Sequence, residues 1–322
     1  VRQTVLVLSE EFDPTVDAVV DELNRRGTEV LRCDTSWFPT RMSLDAQLTG
    51  DLWRGWLTTE HRRVALRSLC SAWYRRPTAF EFLAELSAPE RRHAMWEAKL
   101  GFGGVLANLP LLWVSHPSVE ADCAYKPGQL TTAVRCGLVV PPTLITNRAD
   151  AVVRFARRYE GQLVIKPLAY GSVHEEGVSK ALFTHRLSTA ELVDLAGVEA
   201  TTHLFQRAIT DKVFEARLTV VGRRVFTAAI HTDSVAGRID WRSDYPALRY
   251  DVIEPPDSVI KGTLAFMDEF GLTFGAFDFA VDTDGVWWFF ECNSSGQFRF
   301  VEEATGLPIT SALADLLQRG TV

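Results

Sequence analysis

Two carboxylates and an amide near the C-terminus carry the strongest chemical signal: Asp278 in GAFDFAV, then Glu291 and Asn293 in WWFFECN. Both runs read as strands, and Asp284-Gly285 between them is a hairpin-turn signal. With a two-residue loop, Thr283 faces Val286, and counting back places Asp278 directly opposite Glu291. Asn293 shares the face of Glu291, because side chains alternate with period two. Opposed side chains place their Cβ atoms roughly 5 Å apart, where two like charges destabilise the pair. A divalent cation between them would resolve the conflict. Mg²⁺, a hard ion that takes oxygen ligands and is commonly shared with phosphates, is the natural candidate.

Upstream residues could serve those phosphates. Lys126 and Lys166 each precede a proline, which biases the preceding residue toward an extended conformation. Lys166 ends the apolar strand LVIK, where a cation calls for a counter-charge that phosphate oxygens would supply. Two snorkelling surface lysines are the plain alternative. The loop AYGSVHEEG after Lys166 offers backbone N–H groups suited to phosphate, and serves equally as a connector. Phe205 to Ile209 (FQRAI) is an apolar inter-domain segment able to present backbone groups to an adenine. Glu215 and Arg217 share one face of the next strand. Arg217 could clamp a phosphate, and Glu215 could reach a ribose or steady the arginine; an ordinary cross-strand ion pair fits too. The patterns GxxxxGK[ST], DFG and the kinase catalytic loop are absent, as is GxGxxG in the N-terminal segment.

The elements around these residues indicate an α/β and α+β protein. TVLVLSEEFDPTVDAVVDELNRRGTEVLRCD reads strand, helix, strand, the opening of an α/β unit. SAWYRRP reads as a further strand, residues 88–109 as one long helix whose Trp96 and Leu100 form a core stripe, and residues 41–60 give no clear period. Then follow a helix over 128–136, a helix over 149–159, the strand QLVIKP, SKALFTH, and a helix over 188–195. The strands FEARLTVVG and RRVFTAAIHTD, a helix over 257–270, the acidic hairpin and a helix over 308–318 close the chain. With 322 residues, two or three domains are expected. A formal charge of −7 gives no field for nucleic acid, and no apolar run approaches a membrane span. Five cysteines without CxxC spacing and seven histidines without HExxH argue against zinc. The same cysteine usage, with no signal peptide, predicts a cytoplasmic protein.

Taken in order, these pieces resemble the ATP-grasp superfamily over roughly residues 115–318, with an N-terminal α/β domain of the kind that precedes such domains. They resemble more closely the ribosomal-peptide maturases of the microviridin (graspetide) type. WYRRP at 73–77, AYKPGQL at 124–130, GLVVPPTLITN at 137–147, IKP at 165–167, FQ at 205–206, EARLTVVG at 215–222, DWR at 240–242 and FFECNSSGQF at 289–298 carry that likeness.

The resemblance implies an ATP-grasp fold with a Rossmann-like pre-ATP-grasp domain (1–117), a central α+β subdomain (118–205) and a C-terminal α+β subdomain (206–322). It implies that Lys126 and Lys166, one from each of two strands, contact ATP phosphates. Gln206 and Ile209 would line the adenine hinge, with Glu215 beside the nucleotide. Arg217 would face the phosphates, and Asp278, Glu291 and Asn293 would hold Mg²⁺. The implied reaction activates Asp or Glu carboxylates of a precursor peptide, made of a leader and a Thr/Asp/Glu-rich core, as acyl phosphates. Thr, Ser or Lys side chains of the same peptide then close ester or amide rings. Lys166, Arg217 and Arg242 would be the catalytic set. The position of Asp240-Trp241-Arg242 after a strand of the same lobe suggests that Arg242 orients the substrate carboxylate or acyl phosphate, and a packed aromatic beside a surface arginine fits equally. A leader-binding surface is expected over about 172–200. There Glu175, Glu176, Glu191 and Asp194 make the stretch partly acidic and suited to a basic leader, or else form an ordinary solvated face. Two alternatives stay open: a glutathione-synthetase-like or glutamate-adding ligase, and an ATP-binding regulatory protein without catalysis. A homodimer is left open as well.

Overall fold

In the computed structural model, described for residues 3–169, 172–175, 178–235 and 237–321, the chain begins as a parallel sheet. Its order is Glu29–Cys33, Thr4–Ser9, Leu69–Arg75, Leu112–Val114, and all three pairings are parallel. Thr4–Ser9 is buried along its whole length, as suits a strand covered on both faces. The helix Pro14–Arg25 starts where Asp13 accepts the N–H groups of Thr15 and Val16, with proline in the first turn. On the same face lies the closing helix Ile309–Arg319. Val5, Val7 and Trp73 share a core with Leu313 and Leu317.

Residues 41–60, which showed no period, form most of a separate antiparallel sheet, Met42–Thr49, Leu52–Thr59 and Arg63–Ala65. The expected helix over 88–109 is two, Ala88–Leu100 and Phe102–Ala107, broken at Gly101. Trp96 and Leu100 are not core: they are 57% and 68% exposed. In Ala88–Leu100 only Ala98 is buried, so the face bearing Trp96 and Leu100 meets no other element closely.

A four-stranded antiparallel sheet follows, ordered His185–Arg186, Leu163–Lys166, His203–Arg207, Thr143–Thr146. It packs against Ala149–Arg158 through Val152, Ala156, Leu163 and Phe205. Ser172–Glu175 and Val178–Ala181 form a hairpin. Tyr170, Gly171, Glu176 and Gly177 of the expected phosphate loop lie outside the described residues, as does the side chain of Glu175.

The last sheet has five antiparallel strands in the order Leu248–Val252, Arg224–Thr232, Lys212–Val221, Phe274–Asp282, Trp287–Asn293. Phe277, Phe279 and Phe289 point to one face, where Leu130, Ala133, Phe266 and Met267 of two helices cover them. Alternation therefore directs Asp278 to the opposite face. The helix Asp257–Phe270 has the bounds expected from the sequence. A parallel α/β unit followed by antiparallel α+β units is the class anticipated from element order. Among the described residues, no helix is long and apolar enough to cross a membrane.

Candidate nucleotide and metal site

Three neighbouring strands place the central charges. Arg217 on Lys212–Val221 pairs in register with Asp278, and Asp278 pairs on its other side with Glu291. The expected opposition of Asp278 and Glu291 is present, but it is reached by another route. Asp282 rather than Thr283 closes the hairpin, its N–H donating to Val286 O at 3.2 Å, so three residues lie in the loop. The Asp282 carboxylate accepts the N–H groups of Asp284 and Val286 and the Trp288 indole, and Gly285 takes φ +76°. Near the turn the register is consequently one residue off the expected one, with Phe279 opposite Phe289. A bulge at Phe290 then restores it. The bulge also sets Phe290 and Glu291, consecutive residues, on the same side, both lining the cleft.

The two carboxylates have different partners. Asp278, 8% exposed, receives Arg217 Nη1 at 3.2 Å and Asn293 Nδ2 at 3.4 Å. Glu291 is paired with the Lys126 ammonium and has Arg242 Nη1 at 3.9 Å. Burial pushes Asp278 up to about 6, helped by the neighbouring Glu291 charge and opposed by Arg217. Burial pushes Glu291 up as well, but Lys126 outweighs it, aided by Arg242 and Lys166, and holds it at about 2. Close acidic groups are thus separated in affinity for a proton, as expected where both cannot ionise freely.

Lys126 opens the helix Lys126–Arg135, a correction to the strand placement that the resemblance implied. Pro127 fills the first turn, where its missing N–H costs nothing. Gln129, buried in that turn, donates to Cys123 O at 2.6 Å and Cys292 O at 2.9 Å. Its Oε1 accepts Cys292 N–H at 2.8 Å. It fastens the lysine-bearing helix to the strand beside Glu291. Gln129 was not singled out in the sequence, although it stands inside the AYKPGQL motif. Lys166 ends its strand as expected, with Nζ 3.7 Å above the Phe290 ring. Burial of the ammonium pushes Lys166 down to about 8, against the pull of Glu291.

Lys126, Lys166, Arg242, Asp278 and Glu291 line a cleft of about 800 Å³ between the four- and five-stranded sheets, with Gln206 and Ile209 also in its wall. Glu215 also lines it, but pairs with Lys212 rather than steadying Arg217. Gln206 donates to Thr143 Oγ1 at 2.9 Å, while its Oε1 is buried with no hydrogen-bond partner among the described residues. Arg217 Nε is orphaned likewise. An unmatched acceptor at the hinge suits an exocyclic amino group, while Arg217 lies against the Trp241 and Phe300 rings beside Asp278. Among the described residues no group of three or more His, Cys, Asp or Glu could hold a metal. Two carboxylates and an amide is nevertheless the donor set of a Mg²⁺ that takes further oxygens from phosphates. The site fits both groups.

Residues 4–120 match the family model described as the MvdD pre-ATP grasp domain. The whole chain resembles a Chryseobacterium gregarium RiPP-associated ATP-grasp ligase, solved in complex with ADP and a leader and core peptide. The TM-score is 0.90 at 26% identity, over 99% of this chain and 98% of that one. The chain has the fold of the ATP-grasp ligases, behind a pre-ATP grasp domain. It is similar to two further such ligases, both from Microcystis aeruginosa MRC. Macrocyclase MdnC, solved bound with precursor peptide MdnA, gives a TM-score of 0.86 at 28% identity, over 98% of this chain and 99% of that one. Macrocyclase MdnB gives 0.80 at 28% identity, over 98% and 99%. No curated protein matches the chain. In this chain the expected site residues Lys126, Lys166, Gln206, Ile209, Glu215, Arg242, Asp278 and Glu291 all border one cleft. Arg217 and Asn293 reach it through Asp278.

Proposed function

We propose that this ligase uses ATP to activate Asp or Glu side chains of a ribosomally made precursor peptide. It then closes ester or amide rings with that peptide's Thr, Ser or Lys side chains. The observation that carries the reading is the meeting of an opposed carboxylate pair with Lys126, Lys166 and Arg242 in one cleft, with Arg217 held behind it on Asp278. In this reading the nucleophiles of both steps come from the substrate peptide.

Asp278, Glu291 and Asn293 would hold Mg²⁺, which when bound neutralises phosphate charge. Gln206 and Ile209 border the adenine end, and Glu215 stands between hinge and metal set. Lys126, Lys166 and Arg217 supply fixed positive charge where it develops on the transferred phosphoryl group. The substrate carboxylate takes the γ-phosphoryl group and ADP leaves. A hydroxyl or amine of the same peptide attacks the activated carbonyl and loses its proton, phosphate departs, and the ring closes. Arg242 orients the carboxylate, and holding both ends of one peptide favours the second step.

The partner is a precursor with a leader and a Thr/Asp/Glu-rich core, in keeping with the peptides solved with two of the similar ligases. The leader surface is proposed over about 172–200. There Glu191 is engaged in capping Ser188 and in a contact with His185, which weakens the acidic-patch reading. Asp194 accepts the Ala196 N–H. We take 1–117, 118–205 and 206–322 as the three units and, on cysteines that are all free, a cytoplasmic location.

The test is incubation with MgATP and a short Thr/Asp/Glu-rich peptide encoded beside the gene. The peptide should lose one water per ring, with ADP release that depends on it. Addition of a free amino acid to a peptide end instead would favour the glutathione-synthetase-like alternative.

A further inference from the structure

Arg242 is held by its own turn. Asp240 caps the turn Trp241–Ser243, accepting Arg242 N at 3.1 Å. The same carboxylate takes Arg242 Nε at 2.8 Å on one oxygen and Nη2 at 2.7 Å on the other, a two-pronged pair that fixes the guanidinium plane. The remaining nitrogen, Nη1, lies 3.9 Å from Glu291. Beneath the turn, Trp241 stacks on Phe300 with ring centroids 5.2 Å apart, so the mount is rigid.

Asp240 has a second engagement. Its Oδ2 also accepts the backbone N–H of Thr184 at 3.1 Å. Thr184 immediately precedes the strand His185–Arg186, which pairs with the strand carrying Lys166. Asp240 follows the strand Arg224–Thr232 of the five-stranded sheet. One carboxylate, 5% exposed, therefore joins the two sheets that form the cleft and aims a cation into it. A carboxylate this buried is tolerated only with its partners in place, so losing either contact weakens the other.

We propose that Asp240 is a positioning residue that makes seating of the 182–184 segment and alignment of Arg242 a single event. What Arg242 then acts on rests on the ligase reading, but the arrangement itself can be tested without any peptide. Hydrogen exchange at the Thr184 amide and the rate of Arg242 modification by phenylglyoxal are measured in the ligand-free protein, and MgADP affinity by titration. In Asp240→Ala, Thr184 exchange should rise at least about tenfold and Arg242 modification at least about fivefold, with MgADP affinity changed less than about threefold. Asp240→Asn, a near-isostere that keeps the turn folded, should also speed Arg242 modification, because it cannot offer two acceptor oxygens. Arg242→Ala should also raise Thr184 exchange, though less than Asp240→Ala, since the buried carboxylate has lost its cation but keeps its oxygens. A merely structural role would move all three readouts together. Unchanged Arg242 reactivity in both Asp240 variants, unchanged Thr184 exchange in Asp240→Ala, or loss of MgADP binding alongside them would overturn the proposal.

Discussion

Glu291 stands opposite Asp278 and faces the same cleft because Phe290 is looped out of the ladder beside it. In an unbroken strand, Glu291 would share the face of Trp287 and Phe289, which is packed under two helices. The bulge thus converts a core-facing position into a cleft-facing one, and places a ring beneath the Lys166 ammonium in the same move.

Arg217 is the counter-charge of Asp278, and both are buried. Replacing Arg217 by Met leaves a buried carboxylate without its cation, which should cost about 3–5 kcal/mol in unfolding free energy. Adding Asp278→Asn to that variant should recover most of the loss in a urea titration. A single variant as stable as the parent would show that the pair is not a stability determinant.

Gly296 follows the strand Trp287–Asn293 with no room for a side chain. A Cβ there would lie 2.4 Å from the Ala276 Cβ and 3.0 Å from the Asn293 Cβ. Gly296→Ala should therefore displace Asn293 and destabilise the protein by about 1–3 kcal/mol. Differential scanning calorimetry together with MgADP titration would detect both effects.

How far the sequence disclosed the site depends on the range of the interaction. Helix Asp257–Phe270 and the opposition of Asp278 to Glu291 were legible, because apolar periodicity and strand alternation are local. The three-residue loop was not, since Gly285 at positive φ serves both two- and three-residue hairpins. Nor was the bulge, which has no residue signature in WWFFECN. Gln129 escaped notice because its role is defined by Cys292, far along the chain. Trp96 and Leu100 misled because helical spacing of large apolar residues marks a face without saying what covers it.

Lys166 carries the pH signature. Burial lowers its pKa from 10.5 to about 8 in the folded chain. Between those values the unfolded state binds a proton that the folded state does not, so this residue's contribution to stability rises with pH from about 8 to 10.5. A bound polyphosphate favours the charged amine and should raise the pKa again. MgADP binding at pH 8.5 should therefore take up protons, seen as a dependence of calorimetric heat on buffer ionisation enthalpy. Lys166→Met should abolish that uptake.

Arg242→Ala separates binding from turnover. Arg242 lines the cleft with its Nη1 near Glu291, and its proposed role is to orient the substrate carboxylate. Its loss should lower kcat for peptide-dependent ADP release by about 100-fold, while MgADP affinity changes little. Ring formation at the parental rate would remove this role.

The most direct test of the central claim is calorimetric titration of a non-hydrolysable ATP analogue, with and without Mg²⁺, into the parent and Asp278→Asn/Glu291→Gln. The account predicts Mg²⁺-dependent binding to the parent that weakens at least about 50-fold in the double variant, which must remain folded by circular dichroism. Equal binding by the two proteins, or binding indifferent to Mg²⁺, would contradict it.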